Sequence, residues 1–107
     1  MINLDRDGDV FVLTMDMGEN RWNTNFVRAF DAKLEEALAS EGPAALVTCS
    51  SNAKFFSNGL DLDWRRQEGD GEGGDKSVFG DEFFSLMSKL ITFPMPTLCA
   101  VNGHGFG

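Results

Sequence analysis

The feature that most constrains the fold is a helical repeat of apolar residues followed closely by a short apolar run. Large apolar side chains recur every four positions from residue 26 to residue 38, which places them on one face of a helix. Polar caps at residues 23–25 can begin this helix, and Gly42-Pro43 is expected to stop it. Residues 44–49, A-A-L-V-T-C, predict a strand covered on both faces, as in a parallel sheet. A helix that leads into such a strand indicates an α/β fold.

The segments on either side extend this pattern. Residues 2–5 and 10–15 contain strand formers around an Asp7-Gly8 turn signal, which predicts a hairpin. A second helix is expected to open at Asp81-Glu82, where acidic side chains complement the helix dipole. Its spacing predicts a buried face made of Phe83, Met87, Leu90 and Ile91.

Two further strands and one long loop complete the predicted order. Phe55-Phe56 begins a short extended piece, and residues 97–101 form a strand after Phe93-Pro94 has ended the second helix. Residues 67–76 are rich in glycine and acidic residues, which is typical of a mobile surface loop. The predicted order is therefore β-β-α-β-β-loop-α-β.

Length and charge limit the classes of function. A chain of 107 residues can form one domain with a small core. Its net charge of −8 argues against nucleic acid or an anionic membrane surface as the main partner. No apolar run approaches the roughly 20 residues of a membrane span, and the first residues lack the pattern of a signal peptide. Cys49 and Cys99 lie far apart within apolar runs, so we expect reduced, buried thiols in an intracellular protein.

The stretch F-S-N-G-L-D-L at residues 56–62 is a candidate anion or oxyanion site. Gly59 allows a sharp turn between a strand and a helix start, and such a turn can leave the N–H of Leu60 free. Asp61 can fix the turn by capping the helix. On the local pattern alone, a purely structural Asn-Gly turn is the favoured interpretation.

The run N-G-H-G-F-G at residues 102–107 is the second glycine-rich stretch. It follows a predicted strand, so it can supply another backbone donor. A dinucleotide fingerprint is an alternative, although its third glycine would fall just beyond Gly107. His104 has no Ser or Cys partner in a nucleophile motif and no second His or Cys at metal-ligand spacing, which favours a structural role.

Together the two stretches resemble the enoyl-CoA hydratase/isomerase (crotonase) family. K-F-F-S-N-G-L-D-L is similar to the family's first oxyanion segment, often written F-x-x-G-x-D-L, and F-P-M-P-T-L-C-A-V-N-G-H-G-F-G is similar to its second. The loop E-N-R-W-N resembles an early N-x-x-N-x-L region. The sequences S-N-G-L-D-L, P-M-P-T and N-G-H together resemble those of the family's Δ3,Δ2-enoyl-CoA isomerases more than those of its typical hydratases.

The resemblance implies an α/β fold of crotonase-like (ClpP/crotonase) ββα superhelix type, with residues 1–107 as the incomplete N-terminal portion of an acyl-CoA-binding domain. It implies that the N–H of Leu60 is the first oxyanion donor and that the second follows Gly107. Asn58 and Leu62 are expected to flank the arm of the bound CoA, and Asn20, Arg21 and Trp22 to lie near its adenine end. Gly59 and Gly107 are further implied substrate-binding residues.

The implied function is proton removal and return on an enoyl thioester, with coenzyme A as part of the substrate and no separate cofactor or metal. A hydratase is the runner-up, and a non-catalytic fragment with at most CoA binding is the alternative from another class. None of Asp61, Asp63 or Glu68 matches a family catalytic carboxylate. Family members usually form homotrimers or hexamers, and a cytoplasmic location is expected.

Overall fold

The structure is a computed structural model that describes residues 1–67 and 76–107. Most of the predicted loop at residues 67–76 therefore lies outside the described residues. A short 3-10 helix at Lys76–Val78 precedes the last long helix. The strands and helices, in chain order, are β1 (Ile2–Asp7), β2 (Val10–Met15), α1 (Thr24–Leu38), β3 (Ala45–Ser50), β4 (Phe55–Ser57), α2 (Leu62–Arg66), α3 (Phe79–Ile91), β5 (Thr97–Cys99) and β6 (His104–Gly105).

A four-stranded sheet in the order β1-β2-β3-β5 forms the base of the fold. β1 and β2 are antiparallel, whereas β2, β3 and β5 run parallel. The predicted hairpin is confirmed, but its turn is Gly8-Asp9, one residue later than the turn signal suggested. Asp7 pairs with Val10, and only Gly8 of the two turn residues has a positive φ, +60°, as in a type II′ turn.

The predicted first helix is confirmed as α1. Asn23 caps it by accepting a hydrogen bond from the Phe26 N–H at 2.9 Å, and its apolar face packs into the core with β1–β3. Burying each large apolar side chain in this way contributes about 1.5–3 kcal/mol. The helix ends at Leu38, before the Gly42-Pro43 pair that was expected to stop it. The buried residues of this helix are Thr24, Phe26, Val27, Phe30, Leu34 and Ala37.

The predicted buried strand is confirmed as β3, with a correction to its environment. Leu46, Thr48 and Ser50 point into the core, whereas the residues that alternate with them are only half-buried. Among the described residues, the helices cover one face of the sheet more fully than the other. The side chains of Leu46 on β3 and Leu13 on β2 mark the buried face.

The second long helix, α3, lies against α1 and differs from its prediction in detail. It begins at Phe79, two residues earlier than expected, and Asp81 and Glu82 lie in its first turn, where they complement the helix dipole. Phe79 and Leu86 are its buried residues, while Ile91 is 85% exposed instead of buried. Ile91 is the last residue of this helix.

Three smaller expectations concern the cysteines, metals and the membrane. Cys49 is half-buried and Cys99 is exposed, so the expected burial is wrong for Cys99; neither forms a disulfide. Within residues 1–67 and 76–107 no group of His, Cys, Asp and Glu side chains is arranged to hold a metal ion. Over the same ranges, no helix is long and apolar enough to span a bilayer.

Candidate active site

The two glycine-rich stretches meet in a second, two-stranded sheet. β4 and β6 pair in parallel, with Phe55 opposite His104 and Ser57 opposite Gly105. The Phe106 N–H continues the pairing by donating to the Ser57 carbonyl at 3.0 Å. This pairing carries Gly59 against Phe106 and Gly107, so segments 47 to 49 positions apart in sequence build one site.

Gly59 makes the close approach possible. Its φ is +74°, a conformation that L side chains rarely adopt, and a Cβ at this position would lie 2.9 Å from the Phe106 carbonyl oxygen. The same Cβ would lie 3.3 Å from Gly107 Cα. Since both conflicts are with backbone, a side chain at residue 59 would separate the two segments.

The Leu60 N–H is left without an acceptor by the local backbone geometry. Trp22 and Leu60 form an isolated parallel bridge in which the Trp22 N–H donates to the Gly59 carbonyl at 2.8 Å and the Asp61 N–H donates to the Trp22 carbonyl at 2.9 Å. In a parallel bridge of this kind the middle residue turns its own N–H and carbonyl away from the partner strand. Among the described residues, no group accepts a hydrogen bond from the Leu60 N–H.

The loop E-N-R-W-N, at residues 19–23, holds the Leu60 turn in place. The Asn58 N–H donates to the Glu19 carbonyl at 2.9 Å, next to the Trp22 bridge. The Asn23 side-chain amide donates to Asp61 at 2.9 Å, and the other oxygen of Asp61 caps α2 by accepting from the Trp64 N–H at 3.1 Å. Asp61 is therefore fully engaged in the turn, as its predicted capping role requires.

Charged groups reinforce this loop. The pKa of the Glu19 carboxyl lies below its ordinary value of 4.5, first because the Asn58 amide donates to it and then because Arg21 does. The pKa of Arg21 is raised, chiefly by its hydrogen bond to Glu19. A second carboxylate, Asp63, lies 3.4 Å from the same guanidinium. Arg21 is thus paired with two acidic groups in the structure.

An apolar cavity of about 560 Å³ opens beside Leu60 and is walled by aromatic side chains of α3. The sequence pattern had assigned Phe83 to the core and had given no role to Phe84, which is 70% exposed. In the sequence F-G-D-E-F-F, the rings of Phe79, Phe83 and Phe84 lie on the side of α3 that faces residues 59–60. Their spacing of four and five positions could have indicated this shared face from the sequence. The lining residues that decide its character are Trp22, Leu60, Phe79, Phe83, Phe84 and Phe106.

A second cavity of about 410 Å³ lies between α3, β5 and the second sheet. It shares Trp22, Phe106 and Gly107 with the first cavity. The Trp22 ring stands between them, in edge contact with Phe26 at 4.6 Å and with Phe83 at 5.4 Å between ring centroids. Trp22 therefore acts as a wall of both cavities.

The structure brings together some of the sequence-predicted site residues and separates others. Leu60, Gly59, Gly107 and Trp22 line one cavity, and Asn58 is half-buried beside them. Leu62 is 50% exposed at the start of α2, outside that lining.

The remaining two predicted residues, Asn20 and Arg21, do not line the cavity beside Leu60. Asn20 is completely buried, so it offers no surface to a ligand in this conformation. Arg21 lines a separate polar cleft with Asn23, Asp61 and Asp63. His104 is exposed, and its ring stacks on Phe106 with centroids 5.8 Å apart.

Comparison with known proteins identifies the family. The sequence model of the enoyl-CoA hydratase/isomerase family matches residues 5–107. The chain belongs to the enoyl-CoA hydratase/isomerase family. The match confirms the resemblance of the two glycine-rich stretches and replaces the dinucleotide-binding alternative.

Related proteins of this family are isomerases by name. The chain is 33% identical to enoyl-CoA delta isomerase 2, peroxisomal, of Arabidopsis thaliana, over 97% of this chain and 45% of the relative. It is 31% identical to enoyl-CoA delta isomerase 3 of the same plant, over 97% of this chain and 44% of that protein. The chain thus spans less than half the length of these curated relatives.

Solved structures confirm the crotonase-like fold. The crystal structure of the probable enoyl-CoA hydratase EchA3 of Mycobacterium tuberculosis superposes with a TM-score of 0.80 at 27% identity. The overlap covers 96% of this chain and 42% of EchA3. The described elements therefore correspond to the N-terminal part of the family fold, as the resemblance implied.

Proposed function

We propose that this chain supplies the thioester-binding part of an enoyl-CoA isomerase, with the Leu60 N–H as a donor to the thioester carbonyl oxygen. The observation that carries the proposal is the free Leu60 N–H beside an apolar cavity. Isomerase names among the curated relatives support a double-bond shift as the reaction. Coenzyme A enters as part of the substrate, and the proposed chemistry uses no metal and no other cofactor.

The physical role of Leu60 follows from where charge develops. Removing a proton from a carbon conjugated with a thioester carbonyl places negative charge on the carbonyl oxygen, and returning a proton elsewhere shifts the double bond. A donor that is already fixed and desolvated stabilises that charge without reorganisation. Losing one donor from a comparable oxyanion hole costs about 10²–10³ in rate. The family resemblance assigns the second donor to the residue after Gly107, and the β4–β6 pairing supports this by placing Gly107 against Gly59.

The aromatic cavity fits the acyl part of such a substrate. Its walls carry phenyl and indole rings, and ligand sites of this kind bind apolar groups while a few polar groups fix their orientation. With the carbonyl oxygen at the Leu60 N–H, the acyl chain would extend along Phe79, Phe83 and Phe84 of α3. Asn58, Leu62 and Arg21 remain proposed contacts for the CoA arm and its adenine end.

Two alternatives remain open to test. A hydratase is the first alternative, since the M. tuberculosis relative is named a probable enoyl-CoA hydratase in one structure and an enoyl-CoA isomerase in another. A hydratase would add water to a 2-enoyl-CoA instead of moving a double bond. A binding module without turnover is favoured by the engaged carboxylates, because Asp61 caps α2 and Asp63 pairs with Arg21. Assays with a 3-enoyl-CoA and a 2-enoyl-CoA separate the first two functions, and binding without either product indicates the third.

The test of the donor uses two substitutions at one residue. Leu60→Pro removes the N–H, and it breaks no hydrogen bond among the described residues because that N–H makes none. Leu60→Ala keeps the N–H and is the matched control for the lost side chain. We expect the carbonyl stretching frequency of a bound enoyl-CoA to fall on the wild-type protein and on Leu60→Ala, but not on Leu60→Pro. An unchanged shift on Leu60→Pro would rule out Leu60 as the donor.

The proposal extends to assembly and location. The family resemblance implies a homotrimer or a hexamer, which sedimentation velocity measures directly. The two free thiols fit a reducing compartment such as the cytoplasm. The name of the Arabidopsis relative makes the peroxisome the alternative, and fluorescence microscopy of the tagged protein distinguishes the two.

A further inference from the structure

We propose that Ser57 is a positioning residue whose hydroxyl fixes the Gly59 peptide, so that the Leu60 N–H and not the Gly59 N–H faces the thioester. The inference rests on the function proposed above and adds the residue that orients its donor. Ser57 is 7% exposed at the end of β4; it lines the second cavity but not the cavity beside Leu60. Toward the site beside Leu60 it therefore acts through the backbone, by the two hydrogen bonds of its hydroxyl.

The Ser57 hydroxyl uses both its acceptor and its donor on the turn. It accepts from the Gly59 N–H at 3.2 Å and donates to the Asn20 carbonyl at 2.8 Å. A hydroxyl carries one proton. The bond to the Asn20 carbonyl fixes the direction of that proton and leaves the oxygen lone pairs to accept from the Gly59 N–H. The Gly59 N–H is thus held inside the protein.

Asn20 gives the hydroxyl a rigid partner. It is fully buried and holds a φ of +53°, uncommon for a residue other than glycine. Its side-chain oxygen accepts from the Met17 N–H at 3.0 Å, and its side-chain NH2 donates to the Ser50 hydroxyl at 2.8 Å and to the Phe56 carbonyl at 3.1 Å. With both ends of its amide engaged, the Asn20 backbone carbonyl stays in place.

The Gly59 and Leu60 N–H groups are successive donors at a glycine of positive φ. Such groups together can form a concave donor site for an anion. Here the Gly59 N–H is used internally by Ser57, and the Leu60 N–H alone is left free. Without the hydroxyl, the buried Gly59 N–H would lack a partner, and the peptide would turn to find another acceptor. Since residue 60 follows directly, its N–H would lose its fixed direction.

The experiment compares Ser57→Ala with Ser57→Thr and with Ser40→Ala. Threonine keeps the hydroxyl and is expected to restore the wild-type behaviour. The Ser40 hydroxyl donates to the Ala37 carbonyl at 2.7 Å near the end of α1, so its removal is a matched loss of one hydroxyl–carbonyl bond away from the turn. The measurements are amide hydrogen exchange at Gly59 and Leu60 by NMR, the carbonyl stretch of a bound enoyl-CoA, and the affinities for that thioester and for free CoA.

We expect slow exchange at Gly59 and fast exchange at Leu60 in the wild-type protein without ligand. In Ser57→Ala, Gly59 should exchange faster, the carbonyl shift should shrink, and thioester affinity should fall about three- to tenfold while CoA affinity stays unchanged. Ser40→Ala should change none of these. An unprotected Gly59 amide in the wild-type protein would overturn the inference even if Ser57→Ala does not fold.

The same measurements separate failure of the inference from failure of the proposed function. If the wild-type protein binds an enoyl-CoA without any carbonyl shift, the donor role of Leu60 is wrong and the role of Ser57 falls with it. If the wild-type shift is present and Ser57→Ala retains it in full, the proposed function stands and the positioning role of Ser57 is wrong.

Discussion

Gly59 and Phe106 approach so closely that a single added carbon on Gly59 would lie 2.9 Å from the Phe106 carbonyl oxygen. The contact joins the turn that presents the Leu60 N–H to the end of the described chain. It depends on the absence of a side chain and on a φ of +74° at the same residue. The relationship links one glycine to both the stability and the geometry of the candidate site.

Gly59→Ala should therefore destabilise the protein. The left-handed conformation alone costs about 1–2 kcal/mol for an L residue, and the clash with backbone adds to it. Chemical denaturation measures the free energy of unfolding. Gly80→Ala is the control, because the residue is helical and a Cβ there meets no atom of the described residues within 4 Å. That substitution should stabilise α3 by about 0.5–1 kcal/mol; equal effects at the two glycines would contradict the proposed contact.

Gly103→Ala should disrupt the pairing of the second sheet. A Cβ on Gly103 would lie 2.4 Å from the Lys54 carbonyl oxygen, which accepts from the His104 N–H at 2.9 Å. We expect a loss of about 1–3 kcal/mol, as for other changes that force backbone apart. Gly105→Ala is the control in the same segment, since within residues 1–67 and 76–107 its Cβ would meet no atom closer than 4 Å. Hydrogen exchange at His104 should rise in the first variant and stay unchanged in the second.

Glu19→Gln should alter the pH dependence of stability. Because the pKa of Glu19 is lowered by Asn58 and Arg21, its carboxylate stabilises the folded state above its ordinary pKa of 4.5, and that contribution is lost as the pH falls through the lower folded value. The wild-type advantage over Glu19→Gln should thus be largest near neutral pH and vanish in acid. Denaturation at a series of pH values measures it, and a gap that widens in acid would refute the assignment.

Trp22→Ala should reduce stability through lost aromatic packing. Large-to-small substitution of a core Trp costs about 3–5 kcal/mol, and the half-buried Trp22 should fall toward the lower end of that range. Trp22→Phe is the conservative control, because it keeps ring contacts with Phe26 and Phe83. Thermal and chemical unfolding should order the proteins as wild type, Trp22→Phe and Trp22→Ala. An alanine variant as stable as the wild type would show that the indole contacts contribute nothing to the free energy of unfolding.

The parts of the fold that short-range pattern controls could be predicted from the sequence. The repeat in α1, the cap at Asn23, the β2–β3 strands and the Asp61 cap depend on neighbours within a few residues. The two glycine-rich stretches also identified the family. Two details were less accurate. The hairpin turn lies at Gly8-Asp9 because Asp7 pairs with Val10, and Ile91 is exposed as the last residue of α3.

The sequence by itself determined which backbone stretches could serve as donors, because glycine, a capping acid and strand formers impose local geometry. Only the tertiary structure decided that Leu60 keeps a free N–H, that Ser57 and Asn20 hold the preceding peptide, and that aromatic rings of α3 enclose the space beside it. Those features are contacts between segments far apart along the chain. Their free energy depends on packing and on hydrogen-bond partners that no local pattern specifies.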